Sequence, residues 1–255
     1  MCRHLAYLGP ARSLSSLLYA PAQSLEVQSR SPRYQREGAM NADGWGVGWW
    51  DRSIRPEPAR YRTAMPMWTD RSFRSVADLT EAPAIMAATR SASPPSPIVE
   101  TGNAPFTFGP WLFSLNGFVV DFRAGVGDEL RRAISPEHAS GIDGSSDSEV
   151  LFALLLDRLA EGRKPADALA DVTALVLGLT GGKLNLLLSD GEEITATARG
   201  NSLFVLAGEG LAVGGVLVAS EPLDDDAAWT QVPEGSVMCA TLGGPTIEPL
   251  PGGTS

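Results

Sequence analysis

The chain contains 255 residues, of which 44% are hydrophobic and 20% are charged, so it is long enough to bury a substantial core in one or two domains. Its formal net charge is −10 and no run of Lys or Arg occurs, which argues against nucleic acid or an anionic membrane surface as a partner, because phosphate binding depends on clustered basic groups. A cationic or zwitterionic small molecule is the better candidate for a ligand.

The N-terminal region does not have the pattern of a targeting segment. Arg3, Pro10 and Arg12 interrupt the stretch in which a signal peptide would need its apolar region. No apolar run approaches the roughly 18 residues that a membrane-spanning helix needs. We therefore expect a cytoplasmic protein that contacts no membrane, and the sequence does not indicate its oligomeric state.

Cysteine and histidine are scarce. The two cysteines, Cys2 and Cys239, do not suggest a disulfide framework, and Cys239 lies in the apolar run 237–240, which is typical of a core strand. The two histidines, His4 and His138, have no metal-ligand spacing with a cysteine. We therefore expect neither a metal site nor a bound cofactor.

The first half of the chain alternates strand patterns with short helices. The predicted elements are a strand over 2–8, a short helix after Ser13, a strand within 43–50, a helix over 69–79 and a strand over 84–89 that ends at Arg90. Glycine alternates with large apolar residues over 44–49, which indicates a strand that another backbone or a ligand approaches closely. A Pro-rich loop covers 93–105.

The second half begins with a predicted hairpin over 111–120 that turns at Asn116-Gly117, the strongest two-residue turn signal. Helices are predicted over 123–134, 149–159 and 165–179, the second of them capped by Ser146, Asp147 or Ser148. Strands follow over 184–188, 194–198, 203–205, 211–219 and 236–242, and then a loosely held tail over 245–255. Strands at both ends with helices between them predict a layered α+β domain.

Cys2 is the first candidate for chemistry, because removal of Met1 would leave a thiol and a free α-amine on one residue. The amine titrates near pKa ~8 and the thiol near ~8.5, so a proton can pass between them near neutral pH. A nucleophile paired with an N-terminal amine is an established arrangement for acyl transfer. The alternative is that Cys2 only begins a buried strand as a small apolar residue.

Several short motifs accompany Cys2 along the chain, namely Asp43-Gly44-Trp45-Gly46, Arg90, Asn103, Asn116-Gly117 and Asp147-Ser148-Glu149. In this order the set resembles the class II glutamine amidotransferase family, whose members are N-terminal-nucleophile hydrolases. The resemblance covers 2–221 of a single domain spanning 1–255. It implies a four-layer αββα sandwich, with helices outside two packed antiparallel sheets, in agreement with the α+β class predicted above.

The resemblance implies a role for each matching residue. Cys2 would be the nucleophile with its own α-amine as the base, and Asn116 and Gly117 would form the oxyanion hole, although Asn-Gly also makes an ordinary turn. Arg90 would bind the α-carboxylate of a γ-glutamyl substrate, and Asp147 would bind its α-ammonium. A strand-end arginine and a helix N-cap are the alternative interpretations of Arg90 and Asp147.

Arg36 and Trp45 complete the list of candidates. Arg36 is a second possible contact to the substrate carboxylate. Trp45 could present its aromatic face to a trimethylammonium group, as could Trp49, Trp68 and Trp111. The alternative, which is favoured for each tryptophan, is a position in the core or at an interface.

Within the family, the segments 2–9 and 35–48 are most similar to the amidohydrolases of ergothioneine biosynthesis. This implies hydrolysis of the γ-glutamyl amide of γ-glutamyl-hercynylcysteine sulfoxide. No phosphate-binding loop or nucleotide domain follows the glutaminase-like region, which favours hydrolysis over amide transfer. The alternatives are a glutaminase or general γ-glutamyl amidohydrolase subunit serving a separate enzyme, and an inactive γ-glutamyl-binding module.

Overall fold

The structure is a computed structural model that describes residues 2–35, 38, 40–92 and 96–251. These residues form thirteen strands, β1 (Arg3–Ser13), β2 (Trp45–Trp50), β3 (Ala59–Thr63), β4 (Glu81–Thr89), β5 (Phe106–Phe108), β6 (Trp111–Val119), β7 (Gly182–Ser189), β8 (Ile194–Ala198), β9 (Phe204–Ala207), β10 (Val216–Ala219), β11 (Thr230–Gln231), β12 (Ser236–Thr241) and β13 (Gly244–Pro249). They also form seven α-helices, α1 (Ser15–Leu18), α2 (Leu25–Arg30), α3 (Arg71–Leu79), α4 (Val126–Arg132), α5 (Pro136–Ala139), α6 (Asp147–Ala160) and α7 (Pro165–Leu179).

The strands form two antiparallel sheets that pack face to face. Sheet A has seven strands in the order β11-β9-β10-β1-β4-β2-β3, and sheet B has six in the order β13-β12-β8-β7-β6-β5. Helices α1, α2 and α3 pack on the outer face of sheet A, and α4, α6 and α7 pack on the outer face of sheet B. The four-layer αββα sandwich expected from the resemblance is confirmed.

The apolar residues divide into an inter-sheet core and two cores beneath the helices. In β1, Ala6 and Leu8 belong to the inter-sheet core, whereas Leu5 and Tyr7 pack under the helices of sheet A. Successive side chains of a strand point to opposite faces, so this alternation follows directly from the sequence. It also directs His4 towards sheet B, where it contacts β6.

The glycines of β2 confirm the close approach that their alternation predicts. A Cβ on Gly48 would overlap the side chain of Leu112 in sheet B, and a Cβ on Gly46 would lie 2.6 Å from the carbonyl oxygen of Ala104. Glycine is therefore needed on the inner face of β2, while Trp45 and Val47 fill the outer core.

The hairpin predicted over 111–120 is wrong. Asn116 and Gly117 lie within the continuous strand β6 and pair with Asn185 and Leu184 of β7, and the tight turn instead lies at 109–110, between β5 and β6. A Cβ on Gly117 would overlap the carbonyl oxygen of Lys183, so this glycine allows β6 and β7 to approach closely. Pairing across the sheet has overridden the local turn preference of Asn-Gly.

The loosely held tail predicted from 245 is also wrong over 245–249. These residues form β13, which pairs with β12 from Thr241 opposite Gly244 to Ser236 opposite Pro249. Residues 252–255 lie outside the described part of the chain. Cys239 lies in a strand as predicted, and its side chain is half-buried in β12. Across the described residues, no helix has the length and apolar character to span a membrane.

Candidate active site

A cavity of about 370 Å³ opens where β1 begins and β4 ends, beside the second half of β6 and the start of α6. Its walls include four of the residues singled out in the sequence, Cys2, Arg90, Gly117 and Asp147. Cavities of about 300–1,000 Å³ are typical of small-molecule sites. The fold therefore brings together residues that are more than one hundred positions apart in the chain.

Cys2 is half-buried in the cavity wall, and its backbone is held by the residue that follows it. Arg3 Nε donates a hydrogen bond to the carbonyl oxygen of Cys2 at 2.7 Å. The Arg3 guanidinium also forms a buried ion pair with Glu221, with 2.9 Å between Nη1 and Oε1 and side-chain exposures of 1% each. The second oxygen of Glu221 accepts from the backbone N–H of Arg33 at 2.6 Å. The Arg3–Glu221 ion pair, whose charges are matched within the protein, thus positions the start of β1.

His4 is fully buried behind the cavity wall. Its Nδ1 lies 3.2 Å from the hydroxyl of Ser114, a residue that lines the cavity, and its backbone N–H donates to the hydroxyl of Ser220 at 3.0 Å. Burial, and secondarily the charge of Arg3, lower the pKa of His4 to about 3. The imidazole is therefore neutral at physiological pH and supports the strand next to Cys2.

Asn116 and Gly117 are neighbours in β6 but differ in their position relative to the cavity. Gly117 lines the cavity, whereas Asn116 is fully buried behind it. Asn116 Nδ2 donates to the hydroxyl of Ser220 at 3.3 Å, and the carbonyl oxygen of Asn116 accepts from Asn201 Nδ2 at 2.9 Å. A side-chain amide nitrogen carries two hydrogens, so the bond to Ser220 leaves Asn116 one further donor.

Arg90 follows β4 and is framed by the Asp43-Gly44 motif. Its N–H donates to Gly44 O at 2.9 Å, its carbonyl oxygen accepts from Asp43 N at 3.0 Å, and the Asp43 carboxylate accepts from Ala92 N at 2.7 Å. The guanidinium lies against Gly102 and donates to Pro97 O at 3.1 Å. Among the described residues it has no carboxylate partner, so its charge is available to a ligand.

Asp147 is the first residue of α6 and lines the same cavity as Arg90. One of its oxygens accepts from Val119 N at 3.0 Å and the other from Ser148 N at 2.8 Å. Burial raises the pKa of Asp147, and these hydrogen bonds partly offset that effect. The helix N-cap is Ser146, which forms a capping box with Glu149, so Asp147 is not needed for that purpose.

The cavity thus carries a cysteine, an arginine with no carboxylate partner among the residues described, and a carboxylate that retains acceptor capacity. No protein-family model matches the chain. The chain is 40% identical over 252 residues to the γ-glutamyl-hercynylcysteine sulfoxide hydrolase of Mycobacterium tuberculosis (strain CDC 1551), covering 98% of this chain and 97% of the relative. The chain therefore belongs to this hydrolase family. A relative of the same name from Mycolicibacterium smegmatis is 39% identical and is covered over 93% of its length, with 92% of this chain.

Structural comparison agrees with membership of this hydrolase family. A class II glutamine amidotransferase domain protein from Silicibacter pomeroyi superposes with a TM-score of 0.72 at 27% sequence identity, covering 98% of this chain and 99% of that chain. The resemblance to the class II glutamine amidotransferases inferred from the motifs is confirmed.

Of the two remaining predicted binding residues, one lies outside the described part of the chain and the other lies away from the cavity. Arg36 lies outside the described residues. Trp45 is fully buried on the outer side of sheet A, where it packs edge-on against Phe73, so its predicted contact with a substrate is wrong. The physical reason is the strand period, because Gly46 and Gly48 occupy the inner face of β2 and Trp45 must point outward.

The cavity has an aromatic lining that the sequence reading missed. Phe106, Phe118 and Phe122 line it, and none of Trp49, Trp68 and Trp111 is among its described lining residues. Arg123, in the 3₁₀ turn Phe122–Ala124, lies beside them. The available signal was sequence position, because 118–123 directly follow Asn116-Gly117, at the end of β6 and in the turn after it. Among the described residues, no group of three His, Cys, Asp or Glu side chains has the geometry of a metal site.

Proposed function

We propose that this chain hydrolyses the γ-glutamyl amide of γ-glutamyl-hercynylcysteine sulfoxide and releases glutamate and hercynylcysteine sulfoxide. The observation that carries the proposal is the meeting of Cys2, Arg90 and Asp147 in one cavity. A γ-glutamyl group presents a carbonyl for attack, an α-carboxylate and an α-ammonium. The three residues provide a nucleophile, a cation and an anion for these groups. The near-full-length identity to hydrolases of this name supports the same substrate.

The reaction begins after removal of Met1, which frees the α-amine of Cys2. This amine takes the thiol proton, directly or through a water, and the thiolate sulfur attacks the γ-carbonyl carbon. Arg90 and Asp147 hold the two charged ends of the glutamyl group, so the carbonyl is presented to sulfur in one orientation. No cofactor is required for this step.

The tetrahedral intermediate carries a negative oxygen that needs donors already in position. The second Nδ2 hydrogen of Asn116 and the backbone N–H of Gly117 are the proposed donors. The Asn116 side chain donates through Nδ2 to the Ser220 hydroxyl and accepts at Oδ1 from Asn201 Nδ2, and these two bonds restrict it to one orientation, which supports this role. The absence of a Cβ at Gly117 leaves its amide unobstructed.

Breakdown of the intermediate passes the proton from the Cys2 ammonium to the amide nitrogen, which leaves as an amine. The product on the protein is a γ-glutamyl thioester. The α-amine then takes a proton from water, the hydroxide attacks the thioester carbonyl, and the sulfur leaves and recovers a proton. Glutamate is released and the thiol and amine are restored, so every proton is accounted for.

The proposal is tested by measuring glutamate release from γ-glutamyl-hercynylcysteine sulfoxide and from glutamine, with Cys2→Ala as the inactive control. We expect rapid release from the sulfoxide, little from glutamine and none from the variant. Preferential cleavage of glutamine would identify a glutaminase subunit instead. No turnover of either compound by a chain that begins at Cys2 would identify a binding module.

A further inference from the structure

A second chamber of about 250 Å³ adjoins the cavity at Cys2. The two chambers share part of their walls, and the shared residues are Arg90, Ser96, Gly102, Arg123, Ser145 and Ser146. Cys2 and Asp147 line only the first chamber. Arg90 and Arg123 therefore face both the space beside Cys2 and the second chamber.

Arg123 is an exposed residue of the wall that the chambers share, and no partner of opposite charge lies beside it in the described part of the chain. Its Nη2 donates to the hydroxyl of Ser96 at 3.2 Å, and no described carboxylate lies within ion-pair distance of it. Arg3 and Arg62, by contrast, pair with Glu221 and Glu100. The chain has a formal charge of −10, yet Arg123 is the second guanidinium at this cavity that has no carboxylate partner in the described structure. A ligand anion would explain this feature.

The acidic groups of the second chamber do not neutralise this arginine. Glu149 is buried, and its two oxygens accept hydrogen bonds from Asp143 N, Gly144 N and the N–H and hydroxyl of Ser146. Asp143 is exposed and forms no ion pair in the described structure. Asp121, which lines the first chamber, is likewise exposed. None of the described acidic groups of the two chambers is therefore paired with Arg123.

The leaving group supplies such an anion at the right place. In a γ-glutamyl amide of an amino acid, the scissile nitrogen is bonded to a carbon that also carries a carboxylate. We propose that Arg123 binds this carboxylate and makes the enzyme selective for γ-glutamyl amino acids over γ-glutamyl amides that lack it, glutamine included. The inference rests on the proposed function, because it places the γ-glutamyl group in the first chamber. Arg123 is a specificity-determining residue in this scheme, and Arg90 serves the glutamyl carboxylate.

Binding to the Cys2→Ala protein tests the inference independently of turnover. Isothermal titration would compare γ-glutamylglycine, which has the second carboxylate, with γ-glutamylethylamide, which does not. We expect Arg123→Gln to raise the Kd of γ-glutamylglycine about 10–100-fold, which is the range expected when charge-assisted hydrogen bonds are lost. The Kd of γ-glutamylethylamide should rise less than about twofold. Arg123→Lys should lose less than Arg123→Gln.

Arg132→Gln is the matched control, because Arg132 is an exposed arginine of α4 that lines neither chamber. It should leave both Kd values unchanged. Equal weakening of both ligands by Arg123→Gln, or no weakening of either, would overturn the inference, as would failure of both ligands to bind. Absence of glutamate release by the protein with Cys2 intact would refute the hydrolase proposal alone, since the Kd comparison does not depend on turnover.

Discussion

Replacement of Glu221 by glutamine isolates the contribution of the buried ion pair that positions the start of β1. Both carboxylate oxygens of Glu221 act as acceptors, one for Arg3 Nη1 at 2.9 Å and the other for Arg33 N at 2.6 Å. A glutamine of the same shape offers one oxygen and one NH₂ group, so one of the two donors would face another donor. The Arg3 guanidinium would also remain buried without a compensating charge.

The cost of this change follows from burial. Removal of one partner from a buried ion pair destabilises proteins by about 3–5 kcal/mol, because the remaining charge is uncompensated. The Arg199–Glu234 pair, at 3.3 Å with side-chain exposures of 36% and 55%, is the contrasting case. Exposed pairs contribute at most about 1 kcal/mol, so Glu234→Gln should have a small effect.

Chemical denaturation of the two variants measures the difference in the free energy of unfolding. We expect Glu221→Gln to lose about 3–5 kcal/mol, which corresponds to a fall in Tm of about 2–4 °C per kcal/mol for a chain of this size. Because Arg3 also holds the carbonyl oxygen of Cys2, kcat should fall more than KM rises. A loss within about 1 kcal/mol, equal to that of Glu234→Gln, would refute the argument that burial decides the contribution.

Three further predictions follow from the same structure. Gly117→Ala should destabilise the protein by at least about 1–3 kcal/mol, because the added Cβ would overlap Lys183. Gly178→Ala, at an open position of α7, should instead stabilise it by about 0.5–1 kcal/mol. Equal free energies of unfolding for the two variants would contradict this prediction. The pKa of His4 is about 3 in the folded protein and near 6.5 in the unfolded chain. The free energy of unfolding should therefore fall as the pH drops from 6.5 to 3, by up to about 1.4 kcal/mol per pH unit. His4→Gln should reduce this pH dependence of the free energy of unfolding. Asn116→Ala should lower kcat by about 10²–10³ with little change in KM, and an equal rise in KM would instead assign Asn116 to substrate binding.

Local sequence patterns correctly predicted the elements in which apolar residues or glycines recur at one regular spacing. The helix predicted over 165–179 has the bounds of α7, and the alternating glycines of β2 correctly indicated a closely packed strand. The capping residues of α6 were also within the predicted set, with Ser146 in that role. In these cases the local preference and the tertiary packing require the same conformation.

The failures occurred where a distant segment decides the structure. Nothing near Asn116-Gly117 shows that Lys183 will pass close enough to require glycine in a continuous strand. Similarly, the exposed residues of β13 have no apolar alternation, and only their pairing with β12 fixes them as a strand. Arg123 was missed because a single arginine after a strand is locally ordinary, and its significance depends on two chambers that meet in the folded chain.

The most direct test of the account is acid-quenched peptide mass spectrometry of the enzyme during turnover of γ-glutamyl-hercynylcysteine sulfoxide. We expect an N-terminal peptide that begins at Cys2 and carries one γ-glutamyl group in thioester linkage, which is lost again as glutamate is released. Release of glutamate by protein that retains Met1, or a γ-glutamyl group attached to Cys239 instead of Cys2, would contradict it.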